Sequence, residues 1–102
     1  MSYVILTSKP GQFRTEVTEG LEALEAYDYF CFGRKRAGFV IARLAAPTRI
    51  KIVDETPPPV VNLVPSKFLQ KFESVEGARR ELQALAQAGG NDFVLQAVAG
   101  DR

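Results

Sequence analysis

Histidine and tryptophan are absent from the sequence, and cysteine occurs once, at position 31. Imidazole is the side chain whose unperturbed pKa lies nearest neutrality, and it is the commonest protein metal ligand. Without it, neither a Ser-His-Asp nor a Cys-His nucleophile can be assembled within the chain. One thiol cannot supply a Cys/His zinc site or a four-cysteine iron–sulfur cluster, and it cannot close an intrachain disulfide. Nothing marks a site for haem or a carboxylate-bound metal, so no cofactor is expected. Long hydrophobic runs are also missing. Apolar stretches fall far short of the roughly 20 residues that span a bilayer. Tyr3-Val4-Ile5-Leu6 is too short for a secretory signal and has no basic residue before it. A lone thiol without an export signal points to the cytoplasm, and no membrane partner is expected.

What remains is ordinary for a soluble globular chain. The 102 residues suit one domain, spanning 1–102. Apolar content of 46% and charged content of 25% argue against disorder. Thirteen Lys and Arg against twelve Asp and Glu leave a net charge of +1. That balance gives no global reason to expect DNA, RNA or anionic lipid, so any electrostatic attraction must come from local distribution.

Periodicity supplies the elements. Tyr3–Thr7 is β-prone, Pro10-Gly11 suits the centre of a type II turn, and Phe13–Val17 alternates, so residues 3–17 read as a hairpin. Residues 18–26 are ambiguous. Glu16, Glu19, Glu22 and Glu25 recur every three residues, as in a short amphipathic helix, but Gly20 weakens one, leaving an irregular acidic connection as the alternative. Tyr27–Phe32 and Phe39–Leu44 form the clearest hairpin, with Gly33–Gly38 as a loop carrying three cations. Residues 48–54 alternate, placing Ile50 and Ile52 on one face and Arg49 and Lys51 on the other. Pro57-Pro58-Pro59 reads as a stiff connector that lacks a spaced PxxP frame. A brief strand is expected at 60–64, and a short helix from Ser66 to Phe72 with Phe68, Leu69 and Phe72 inward. Ser74 caps a helix over 75–88 with Val75, Ala78, Leu82, Leu85 and Ala86 as its apolar stripe, ended by Gly89-Gly90. Residues 93–98 close the chain as a strand.

These elements predict an α+β fold: a mostly antiparallel sheet of five to seven short strands with one main helix in the C-terminal half. A small, partly open β-barrel with a flanking helix is the alternative.

The charges are blocked. Residues 16–28 carry Glu16, Glu19, Glu22, Glu25 and Asp28 without a cation, and residues 34–51 carry Arg34, Lys35, Arg36, Arg43, Arg49 and Lys51 without an anion. Either the two blocks pair and neutralise each other, or the cations present a basic surface centred on 33–38. The second reading makes Arg34, Lys35, Arg36, Arg43, Arg49 and Lys51, with Tyr29, the candidate partner-binding residues. Tyr27, Tyr29 and Cys31 share one face of an ideal strand, and Phe30 and Phe32 share the other. At least one of these sets must be core. Cys31 reads as a small buried hydrophobe. Tyr27-Asp28-Tyr29 supplies proton-transfer groups, but Asp28 points away from both tyrosines in a regular strand.

The expected function is therefore a non-catalytic, cytoplasmic protein-binding or accessory domain that docks on an acidic partner through the basic hairpin and nearby aromatics. Self-association through the same strand edge is a related expectation. Weak nucleic-acid binding by the same cations is the alternative, and a small-molecule site is a third.

Overall fold

The computed structural model describes residues 2–98. Seven strands and one α-helix follow one another: β1 (Ser2–Ser8), β2 (Phe13–Glu16), β3 (Leu21–Cys31), β4 (Arg34–Leu44), β5 (Arg49–Asp54), β6 (Val61–Pro65), α1 (Val75–Ala88) and β7 (Phe93–Ala97). The strands form two antiparallel sheets, ordered β1-β4-β3-β7 and β2-β5-β6, so the fold is α+β and no barrel closes. Among the described residues no helix is long and apolar enough to cross a membrane.

β4 organises the layers because it is apolar on both faces, which suits a strand covered on both sides. Ala42 and Leu44 meet Val4 and Leu6 of β1 and Ile50 of β5, forming a core between the two sheets. Ala37, Phe39 and Ile41 face the other way and pack against Ala78 and Leu82 of α1. The smaller sheet thus lies on one face of the larger, and the helix on the opposite face. Helix entry is capped as expected: Ser74 Oγ accepts the Gly77 amide at 3.0 Å. Ala78 and Leu82 are buried, whereas Leu85 is 44% exposed, because the last turn of the helix runs past its packing partners.

Four local expectations change. Residues 3–17 are not a hairpin. Pro10-Gly11 does turn the chain, with Gly11 at φ +78°, but β1 then pairs with β4 and β2 with β5. Between the two arms the described residues form one backbone bridge, Lys9–Phe13, besides side-chain bonds from Thr15 to Thr7 and Ser8, so the turn passes the chain from one sheet to the other. Residues 21–26 are strand, not helix or loop. Leu24 is an extra residue where the β3–β4 register shifts between Ala23 and Glu25. That bulge puts Glu22 and Glu25 on one face at a spacing of three, which imitates helical periodicity.

The loop at 33–38 is shorter than expected. Only Phe32 and Gly33 form the turn, at φ +52° and +77°, as a two-residue hairpin of type I′ demands. Arg34, Lys35 and Arg36 already belong to β4. Finally, the 66–72 helix reduces to a single 3₁₀ turn at Ser66–Phe68. Ser66 is buried there because its Oγ accepts the Thr48 amide at 3.1 Å, instead of capping. Phe68 faces out, 70% exposed, while Leu69 and Phe72 pack inward on opposite cores.

Candidate functional site

The register of the β3–β4 hairpin decides where the seven candidate residues go. Tyr29 pairs with Ala37 and Phe30 with Lys35, so Arg36 is an extra residue in β4. The bulge inverts the alternation beyond it. Arg34, opposite Cys31, is thereby turned to the face that carries Tyr29 and the helix, and Lys35, opposite Phe30, to the reverse face. There Lys35 Nζ meets Asp28 Oδ1 at 3.1 Å, on the face to which strand alternation turns Asp28, away from its two tyrosines.

The cations do not share one surface. Arg43 pairs with Glu22, its cross-strand partner on β3. Lys51 Nζ lies 3.4 Å from Glu16 Oε1, again directly across the register. Arg49 is exposed on the outer side of the smaller sheet, on the alternate face from buried Ile50. Three of the six basic residues therefore pair with the preceding acidic block, as antiparallel neighbours of opposite charge do. Arg34, Arg36 and Arg49 have no ion-pair partner among the described residues. Arg34 and Arg36 flank the hairpin tip.

Beside them opens a cleft of about 530 Å³, on the helix-side face of the larger sheet where α1 runs out. Tyr29, Cys31 and Phe39 make its floor, and Leu85 and Phe93 form one wall. Lys9 and Arg36 stand around it, Lys35 borders it with its ammonium turned to Asp28 on the reverse face, and no carboxylate lines it among the described residues. Four rings run from the core to the tip. Phe39 meets Tyr29 edge-on at 6.2 Å, Tyr29 stacks on Phe93 at 5.6 Å, and Phe93 lies 6.2 Å from Phe32. Phe32 ends the series 71% exposed. Gly89 makes the wall close-fitting, because a Cβ at that position would overlap the Phe93 ring.

The helix is held over this site by one charged network. Glu25, turned to the helix face by the Leu24 bulge, receives Arg79 Nε at 2.8 Å and the Tyr27 hydroxyl at 2.6 Å. The Arg79 guanidinium, above all, holds the Glu25 carboxyl down at about 2, against the opposing effect of burial. Burial and then the Glu25 hydrogen bond raise the Tyr27 phenol, so it stays a proton donor through the neutral range.

A second, shallower cleft of about 520 Å³ opens on the smaller sheet at Phe13, Ile52 and Asn62, but it includes Asp54 beside no cation among the described residues. Asp54 is held below its ordinary pKa by the Thr56 hydroxyl and amide. Among the described residues no group of His, Cys, Asp and Glu is arranged to hold a metal ion.

Sequence reasoning placed Tyr29, Arg34, Lys35 and Arg36 in one neighbourhood, and these do gather at the cleft end of the hairpin. It scattered Arg43, Arg49 and Lys51 onto a surface they do not share. Lys9, Leu85 and Phe93 were missed as lining residues, because only the topology brings the β1–β2 turn, the end of α1 and the start of β7 together. Comparison of the chain with protein-family models, with curated proteins and with solved structures finds no match.

Proposed function

We propose that the protein is a non-catalytic binding domain that docks on an acidic surface of another protein through the tip of the β3–β4 hairpin. Phe32 carries this reading. It is a bulky aromatic at φ +52° in a turn position that favours Asn or Gly, and it is 71% exposed. Backbone strain and solvent exposure both count against it in the isolated protein, and strained positions cluster at binding sites. A partner that buries the ring would offset both costs. Arg34 and Arg36 supply the charge that steers an acidic surface toward it, and the carboxylate-poor cleft behind them extends the attraction. The single thiol of Cys31 suits a reducing compartment such as the cytoplasm.

The test combines Phe32→Asn with the pair Arg34→Glu and Arg36→Glu in affinity capture from the native lysate. Both variants should lose the partner recovered by the parent, and F32N should unfold at the same temperature or a few degrees higher. Unchanged recovery with both variants would remove the proposal. Binding of random oligonucleotides that falls steeply between low and physiological salt would support the nucleic-acid alternative instead.

The cleft volume favours a second reading, an amphipathic carboxylate held by Lys9 and Arg36 over the aromatic floor. A thermal upshift with acyl or aryl carboxylates, abolished by Arg36→Gln, would distinguish it.

A further inference from the structure

The two sheets have four outer strand edges, and three of them are protected. The β1 edge is occupied at Tyr3, whose amide donates to the Phe72 carbonyl at 2.9 Å and whose carbonyl accepts the Phe72 amide at 2.8 Å. Nearer its end, β1 meets β2: Ser8 Oγ accepts the Thr15 amide at 2.9 Å, and Thr15 Oγ1 donates to the Thr7 carbonyl. The same bonds screen the outer edge of β2. β6 is bracketed by Pro59 and Pro65, which cannot donate to an added strand. Among the described residues β7 has none of these devices. Its sequence, Phe93-Val94-Leu95-Gln96-Ala97, contains no charge and no proline, and it ends the larger sheet.

The backbone of β7 is also phased for a symmetric partner. The Phe32 amide donates to the Asp92 carbonyl and the Val98 amide to the Ala26 carbonyl, both at 2.9 Å. Residues 92, 94, 96 and 98 therefore direct their peptide groups toward β3, and Phe93, Leu95 and Ala97 direct theirs outward. A two-fold axis through Leu95 would pair Leu95 with its own copy and Phe93 with Ala97 of the second copy. Every outward peptide group of the strand would then find a partner. Val94, 52% exposed, would sit across from Gln96 of the second copy, on the face away from α1.

We propose that a second copy of this chain occupies the β7 edge, forming an antiparallel two-fold dimer whose larger sheets join into one of eight strands. A second copy fits better than a foreign strand because the pairing closes. The joined sheet would run from β1 to β1, and both terminal edges are already covered, so assembly stops at two. The hairpin expected from sequence to self-associate, residues 27–39, is interior to the sheet; β7 is the edge that lies next to it.

Sedimentation velocity over a concentration series tests this, with register-specific variants. The parent should sediment at twice 11.2 kDa. Val94→Lys with Gln96→Lys places like charges across the two-fold pair and should give monomer at every concentration. Val94→Lys with Gln96→Glu places opposite charges there and should restore the dimer. Both side chains are exposed, so near-ultraviolet circular dichroism should match the parent in each variant. A monomeric parent at high concentration would overturn the proposal. So would a dimer indifferent to both charge patterns, or failure of the opposite-charge variant to recover association. Loss of partner capture in F32N with the dimer intact separates this interface from the hairpin tip.

Discussion

Replacing Glu25 with glutamine removes the carboxylate that ties α1 to the central sheet, and the geometry sets the size of the loss. Arg79 Nε donates to both carboxylate oxygens, at 2.8 and 3.1 Å, Nη2 reaches Oε2 as well, and the Tyr27 hydroxyl adds a bond at 2.6 Å. Chiefly through Arg79, the carboxyl is lowered from 4.5 to about 2. Converted without allowance for solvent, that difference corresponds to roughly 3 kcal/mol. The Glu25 side chain is 25% exposed and that of Arg79 42%, so screening reduces the expected contribution at pH 7 to about 1–2 kcal/mol. Because the folded pKa is depressed, this stabilisation is complete above the unfolded value near 4.5 and fades as pH falls toward 2. Urea unfolding followed by circular dichroism should find Glu25→Gln less stable than the parent by about 1–2 kcal/mol at pH 7. The corresponding fall in Tm is roughly 5–15 °C for a domain of this size. By pH 2.5 most of the gap should have closed. A gap equal at pH 7 and pH 2.5, or none at pH 7, would refute the reasoning.

Three further substitutions probe the frame around the site by the same unfolding assay. Ser74→Ala removes the oxygen that accepts the Gly77 amide and should cost about 1 kcal/mol. Gly89→Ala drives a methyl into the Phe93 ring, costing about 1–3 kcal/mol; a change in near-ultraviolet circular dichroism should report the disturbed Tyr29–Phe93 stack. Ile41→Ala empties a fully buried position under α1 and should cost about 2–5 kcal/mol, unless the neighbours collapse into the space.

The fold class was legible because its strongest signals were local. The alternation at 49–54, the cap at Ser74 and the apolar density of 39–44 all survive folding unchanged. The errors share one physical origin, which is that pairing partners are chosen by tertiary structure. β1 and β2 lie either side of a turn with the right residues, yet each finds a longer partner elsewhere. The acidic stretch looked helical because one bulged residue, Leu24, converts a spacing of two into three, and no sequence periodicity announces a bulge. The site was half legible for the same reason. Blocked charges pointed to the hairpin, but only the register could sort cations that neutralise Asp28, Glu22 and Glu16 from Arg34 and Arg36, left near the tip.

The extra residue at Arg36 has a consequence for how the hairpin can change. It separates the hairpin into two lengths whose side-chain phases are independent. Behind it, Ala37, Phe39 and Ile41 are locked to the helix, and a single-residue insertion or deletion there would turn core side chains toward the wrong layer. Ahead of it, Lys35 and Arg34 take their faces from Phe30 and Cys31 across the hairpin, so loss of the one bulged position would leave both facing as they do and leave the buried register untouched. The tip is thus a section set apart from the works: losing one codon there would shed the Arg36 cation and keep its neighbours aimed as they are, without rebuilding the core that holds them.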